Sequence, residues 1–291
     1  MCGQSEANPF RIDGPVWRKE DFVGRSKEVQ RILGLIRQGQ SVSVVGPMGC
    51  GKTSLLDHIA RIGAPEQHGM RAAEQIFLRL SGRAFVDASQ AACLAGFCTE
   101  ILSRFEQVDA ALKARLLEEE AEGMLVGHRG LRTLFRIVRE CGFRPVLALD
   151  DFDDLAQNSS LKDSFFAALR SLATGYEVVF LIASQRPLYE LEKARPEAST
   201  LCGICQQFVL RPFAEQESRE LIHGYLSRTG VEFPAFAVEC IVGLGRGGPY
   251  SVQLAGYLAF EVWRDNGGRL QERDCVEVKQ RFGQAVEGAQ M

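Results

Sequence analysis

Two clusters of residues in this sequence have the types and spacing to do chemistry on a phosphate chain. In the first, Gly46-Pro47-Met48-Gly49-Cys50-Gly51-Lys52-Thr53 fills every fixed position of the pattern G-x-x-x-x-G-K-[ST]. Glycines let successive backbone N–H groups turn inward around an anion, Lys52 has the reach for β- and γ-phosphates, and the Thr53 hydroxyl can ligate Mg²⁺. The stretch from Gly46 to Ser54 is therefore the candidate cradle, with triphosphate as the favoured ligand. The second cluster is Asp150-Asp151-Phe152-Asp153-Asp154, which ends the apolar run Pro145-Val146-Leu147-Ala148-Leu149. Beside a phosphate loop, one such carboxylate holds the magnesium shell and the next polarises an attacking water. We assign Asp150 to the metal and Asp151 to the water, and read Asp153 and Asp154 as ordinary loop acids. Arg186 follows a third apolar run, 178–183, and is the candidate contact for a γ-phosphate.

These residues need strands that end at one edge and helices that start there. The mostly apolar run Val42 to Val45 predicts a strand before the loop, and Leu55, Leu56, Ile59 and Ala60 predict a helix after it. Ser26 reads as the N-cap of an earlier helix bearing Val29, Ile32, Leu33 and Ile36. Further strands are expected at 75–80, 145–149, 178–183 and 208–210, alternating with helices at 91–105, 131–138 and 161–173. Residues 110–123, with Glu118-Glu119-Glu120, read as a solvated helix and linker. From Phe213 onward only helical periodicity remains, in four segments at 217–229, 235–244, 250–263 and 270–282. The expected fold is α/β, a five-stranded parallel sheet flanked by helices, with a C-terminal all-helical domain. The expected divisions are an extended arm at 1–21, a nucleotide-binding core at 22–212 and the helical domain at 213–291, with Phe10 and Trp17 pinning the arm.

Composition narrows the partners. With 34 Lys+Arg against 37 Asp+Glu the net charge is -3, which gives no global attraction to nucleic acid or anionic membranes. Nine cysteines without a regular framework suit free thiols in a reducing compartment, and the lone Cys202-Gly203-Ile204-Cys205 reads as two loop cysteines. Neither a basic-then-apolar leader nor a spanning run is present, so a cytoplasmic protein is expected.

Together these motifs resemble the P-loop ATPases of the AAA+ and STAND type, most closely compact bacterial members related to origin-recognition initiators. The family signature that packs on adenine resembles Phe22-Val23-Gly24-Arg25-Ser26-Lys27-Glu28, which implies adenine contacts from Val23 and Arg25. Leu149-Asp150-Asp151 resembles the family's Walker B, with Asp where a catalytic Glu is commoner, implying slow hydrolysis. Ser184-Gln185-Arg186 is similar to its sensor triplet, giving Arg186 a γ-phosphate-sensing role, and Gly247-Gly248-Pro249 matches its Gly-x-Pro, setting Pro249 against the nucleotide. The resemblance implies ATP and ADP with Mg²⁺ as ligands and a helical lid that switches between an ADP-closed form and an ATP-open, oligomeric form.

Typical members continue into winged-helix, effector and sensor modules, whereas this chain ends soon after Pro249. The resemblance thus implies effector and sensor partners in other polypeptides and a homo- or hetero-oligomer formed with ATP, in a bacterial system such as defence signalling. The alternatives are a DNA-associated AAA+ regulator resembling transposition or replication-loading ATPases, which the charge balance disfavours, and a pseudo-ATPase that binds nucleotide for stability alone.

Overall fold

The structure, a computed structural model, describes residues 7–61, 75–105, 110–121, 127–193 and 201–288. Residues 1–6 of the expected arm, with Cys2, and residues 122 and 123 of the acidic stretch lie outside them. The chain divides into two compact units. One is formed from Ser26–Pro47 and Leu55–Leu210, the other from Met1–Arg25, Met48–Ser54 and Arg211–Met291.

The first unit is built on strands β1 (Ser41–Val45), β2 (Gln75–Ser81), β3 (Arg144–Asp150), β4 (Val179–Ser184) and β5 (Cys205–Val209), all parallel, in the order β2-β3-β4-β1-β5. Strands β1 and β4 are buried along their whole length, which is why they read as continuous apolar runs without alternation. Register aligns the strand ends: Val45 of β1 pairs with Ser184 of β4, and Leu149 of β3 with Ile182. Asp150 and Ser184 therefore finish on the same edge of the sheet as the end of β1. The fifth strand starts earlier than the apolar run at 208–210 suggests, because polar Gln206 and Gln207 lie on an exposed edge and pair with Val42 and Ser43. Cys205 belongs to that strand and Cys202 to the short turn before it; both are free thiols.

Helices α1 (Ser26–Arg37), α2 (Lys52–Arg61), α3 (Gln90–Phe105), α4 (Ala110–Ala121), α5 (Gly127–Glu140), α6 (Phe152–Gln157), α7 (Asp163–Tyr176) and α8 (Leu188–Glu192) connect the strands. Leu78, Leu80, Leu147, Leu149, Phe180 and Ile182 of the sheet pack with Phe97, Phe135 and Phe165 of α3, α5 and α7. Each such side chain, fully buried, contributes roughly 1.5–3 kcal/mol. Helix α4 corrects the reading of 110–123 as solvated: Leu112 and Leu116, one turn apart, are buried in this core. The neighbouring acids masked that short apolar stripe, while Glu118 stays exposed.

The second unit carries four helices, α9 (Glu215–Leu226), α10 (Ala235–Gly245), α11 (Pro249–Asp265) and α12 (Asp274–Gly288), around Ile222, Tyr225, Ile241, Val252, Ala255 and Phe260. The arm is pinned to them by Phe10, which is buried and stacks on Tyr225 at 5.7 Å between centroids, and by Asn8, whose Nδ2 donates to the Tyr257 carbonyl at 3.0 Å. Trp17 is 46% exposed. Among the described residues no helix is long and apolar enough to cross a membrane.

Candidate functional site

The loop after β1 has the backbone that its sequence calls for. The Gly46 N–H donates to the Ser184 carbonyl at 3.2 Å, extending the β1–β4 contact one residue beyond the ladder. Gly49 and Gly51 then take φ of 76° and 91°, in the left-handed region where a β-carbon is strained. Those two residues turn the chain into α2, whose first turn carries Lys52, Thr53 and Ser54. A helix N-terminus presents backbone N–H groups and the positive dipole end, both suited to a phosphate. Lys52 and Thr53 are partly buried, Met48 is exposed and Cys50 is buried. The Ser54 Oγ accepts the Val16 N–H at 3.0 Å, tying the arm to the start of this helix.

Within the second unit the loop is braced from two sides. Arg25 is buried; its Nη2 donates to the Cys50 carbonyl at 3.3 Å and its guanidinium lies 4.6 Å from the centre of the Phe213 ring. Its own N–H donates to Glu217 Oε1 at 3.2 Å, and Glu217 Oε2 accepts the Ala214 N–H at 2.9 Å, so one carboxylate fixes both the Gly-Arg turn and the start of α9. On the other side Pro249 opens α11, and the Tyr250 N–H donates to the Gly49 carbonyl at 3.3 Å. The Phe213 N–H donates to the Gly247 carbonyl at 2.7 Å, which anchors Gly247-Gly248-Pro249 against the entry to α9. Val23 packs on the helical core. This unit thus brings together Val23, Arg25, the loop residues Met48 to Ser54, and Pro249.

The first unit holds the acids. Asp150 is 1% exposed; its Oδ2 accepts Arg79 Nη2 at 2.7 Å and its Oδ1 accepts the Asp151 N–H at 3.0 Å. Arg79 reaches it because β2 alternates: Leu78 and Leu80 enter the core and Arg79 leaves from the opposite face. The Nε of Arg79 lies 3.0 Å from Oδ1 of Asp57, a fully buried residue of α2. Asp151 sits at φ 48°, ψ 45°, immediately before α6. Its Oδ2 accepts the Ser81 hydroxyl at 3.2 Å, and Arg83 Nε stands 3.5 Å away. Burial, and then the neighbouring Asp150 charge, hold the Asp151 carboxyl above the usual carboxylate range.

Asp153 is not the ordinary loop acid its position suggests. It lies on α6, is 5% exposed, and accepts the N–H groups of Gln185 at 2.6 Å and Arg186 at 3.3 Å, with Arg186 Nε at 3.6 Å. The Ser184 hydroxyl donates to the Arg186 carbonyl at 2.7 Å. The turn after β4 is thus held from both directions, while the Arg186 side chain itself remains half exposed. This unit brings Asp150, Asp151 and Arg186 to one edge of the sheet. Asp57, Arg79, Asp153 and Glu217 escaped the sequence reading. For the first two the available signal was a charge standing alone in an apolar helix face or strand.

The family profile described as Novel STAND NTPase 1 matches residues 17–285. No curated protein matches the sequence. Among solved structures, the Walker-type ATPase PABY2304 of Pyrococcus abyssi is 16% identical, with 95% of this chain and 76% of that one covered at a TM-score of 0.67. The ORC2 protein of Aeropyrum pernix, in its ADPNP-ADP complexes, is 14% identical over 96% of this chain and 72% of that one, TM-score 0.65. Domain III of the replication initiation protein DnaA of Thermotoga maritima is 14% identical over 92% and 98%, TM-score 0.55. At these identities the likeness is one of fold.

Proposed function

Because this chain belongs to the Novel STAND NTPase 1 family, we propose that it is an ATP-binding switch that hydrolyses ATP slowly. The observation that carries this reading is the complete phosphate-loop pattern, with Gly49 and Gly51 in the left-handed region, at the start of α2. In it, Gly46, Pro47, Met48, Gly49, Cys50, Gly51 and Ser54 cradle the phosphates, and Lys52 neutralises the β- and γ-phosphates. Val23, Arg25 and Pro249 border the base. Asp151 polarises the attacking water and Arg186 reads the γ-phosphate.

A magnesium ion suits the donor set. Thr53 offers a hydroxyl and Asp150 a buried carboxylate held beside Arg79, both hard oxygen ligands. When bound, the metal neutralises charge on the phosphate oxygens; one or two protein ligands suffice, since phosphates and water complete its shell. Asp151 is a short base held back by Ser81, which supports slow turnover.

As a switch, the protein works in the cytoplasm with effector and sensor proteins, in a bacterial system such as defence signalling, and forms a homo- or hetero-oligomer with ATP. The segment from Phe213 onward acts as the responsive lid. The charge of -3 argues against the DNA-associated alternative. Phosphate release from ATP tests the reading: slow Mg²⁺-dependent turnover is expected in the wild type, and Asp151→Asn keeps ATP bound while turnover stops. Equal turnover in both proteins would remove Asp151 from its role.

A further inference from the structure

The roles assigned above leave Arg79 and Asp57 without a task, yet with Asp150 they form a carboxylate–guanidinium–carboxylate bridge that is almost sealed from water. Asp57 is 0% and Asp150 1% exposed, and the Arg79 side chain is 12% exposed. Burying such charges is expensive, and apolar replacements of the same volume are often neutral or stabilising. Stability alone is therefore a poor reason for the trio.

The geometry gives a better one. Two nitrogens of one rigid guanidinium plane face two carboxylates: Nη2 donates a hydrogen bond to Asp150 at 2.7 Å, and Nε forms an ion pair with Asp57 at 3.0 Å that lacks the alignment of a hydrogen bond. The two carboxylates are therefore held on one rigid guanidinium plane, Asp150 by a directed hydrogen bond and Asp57 by charge. The second oxygen of Asp150 takes the Asp151 N–H at 3.0 Å, so the carboxylate is held at both ends and has one orientation. Asp57 in turn lies four residues after Thr53 on α2, on the same helical face.

We propose that Arg79 is a positioning residue. It sets the Asp150 carboxylate in the orientation that meets a nucleotide-bound divalent cation, and through Asp57 it locks that orientation to the helix that starts with Lys52 and Thr53. This rests on the nucleotide-binding reading. It assigns Arg79 no contact with substrate and makes cation affinity, not nucleotide affinity, the quantity it controls.

The test uses the full chain as wild type, Arg79→Gln, Arg79→Lys and Asp57→Asn. Calorimetry with a non-hydrolysable ATP analogue gives nucleotide affinity in EDTA and then the Mg²⁺ midpoint, and thermal melts report the fold. Affinity in EDTA should be unchanged throughout. The Mg²⁺ midpoint should rise about tenfold or more in Arg79→Gln and Asp57→Asn, the size seen when a group that orients a metal ligand is removed. Arg79→Lys should melt near the wild type yet fail to restore the midpoint, because one ammonium cannot span both carboxylates. An unchanged midpoint with a lowered melting temperature makes the bridge structural and overturns the proposal. A tighter midpoint makes Arg79 a competitor of the cation and overturns it equally. Should Arg79→Gln not fold, Arg79→Lys and Asp57→Asn carry the same test. A wild type without Mg²⁺-dependent nucleotide binding defeats the underlying reading, whereas wild-type dependence shared by every variant defeats the Arg79 inference alone.

Discussion

Gly82 and Asp151 lie so close that a β-carbon on residue 82 would stand 2.3 Å from the Asp151 carbonyl oxygen. The end of β2 is thus packed against the turn that holds the acid at φ 48°. Gly82→Ala forces that turn to move, at about 1–3 kcal/mol of stability by the scale of overpacking. Nucleotide binding should persist, because Lys52 and Thr53 are untouched, while hydrolysis falls at least about tenfold for a base displaced by a fraction of an ångström. Parallel melting and phosphate-release measurements check this, and a variant with full activity and full stability would contradict it.

Asp151 also sets a pH dependence. Its carboxyl is held above the usual carboxylate range, by burial and then by the Asp150 charge. The folded state therefore holds this proton more tightly than the unfolded state. The resulting stability is fully present below the unfolded value and is lost as pH rises through the higher folded one. Asp151→Asn, which removes the charge, should melt slightly above the wild type at neutral pH, and the difference should close in acid. A variant that melts lower at neutral pH than in acid, relative to the wild type, reverses the sign and rejects the argument.

Asp153 and Arg186 separate support from sensing. Asp153→Ala removes the charged acceptor of the Gln185 and Arg186 N–H groups at a partly buried turn and should lower stability by about 1–2 kcal/mol. Arg186→Ala should leave stability and ADP affinity close to wild type and weaken ATP binding by about 1.5–3 kcal/mol, the range for a charge-assisted hydrogen bond. Denaturant curves and paired ADP and ATP titrations distinguish the two. Equal losses for both nucleotides would take Arg186 out of the sensing role.

What was legible in the sequence was local. The phosphate loop announces itself because its chemistry needs a fixed spacing over eight consecutive residues, and β1, β3 and β4 because strands buried on both faces become unbroken apolar runs. What escaped was long-range. Arg79 meets Asp150 across 71 residues of sequence and Arg25 meets Glu217 across 192, separations at which no spacing rule operates. Asp153 was hidden differently: in a run of four acids nothing local marks the one that α6 turns toward the end of β4. In α4 the two buried leucines were outvoted by the acids beside them.

The central claim is that a nucleoside triphosphate binds the loop that ends in Lys52. Calorimetric titration of ATP with Mg²⁺ into the wild type and Lys52→Ala tests it most directly. Saturable one-site binding is expected for the wild type and none measurable for a folded Lys52→Ala protein, since a charge-assisted contact to the phosphates is lost along with the positive charge of the loop. Lys52→Ala binding ATP at wild-type affinity, with an unchanged melting temperature, would show that the loop is not where the nucleotide sits.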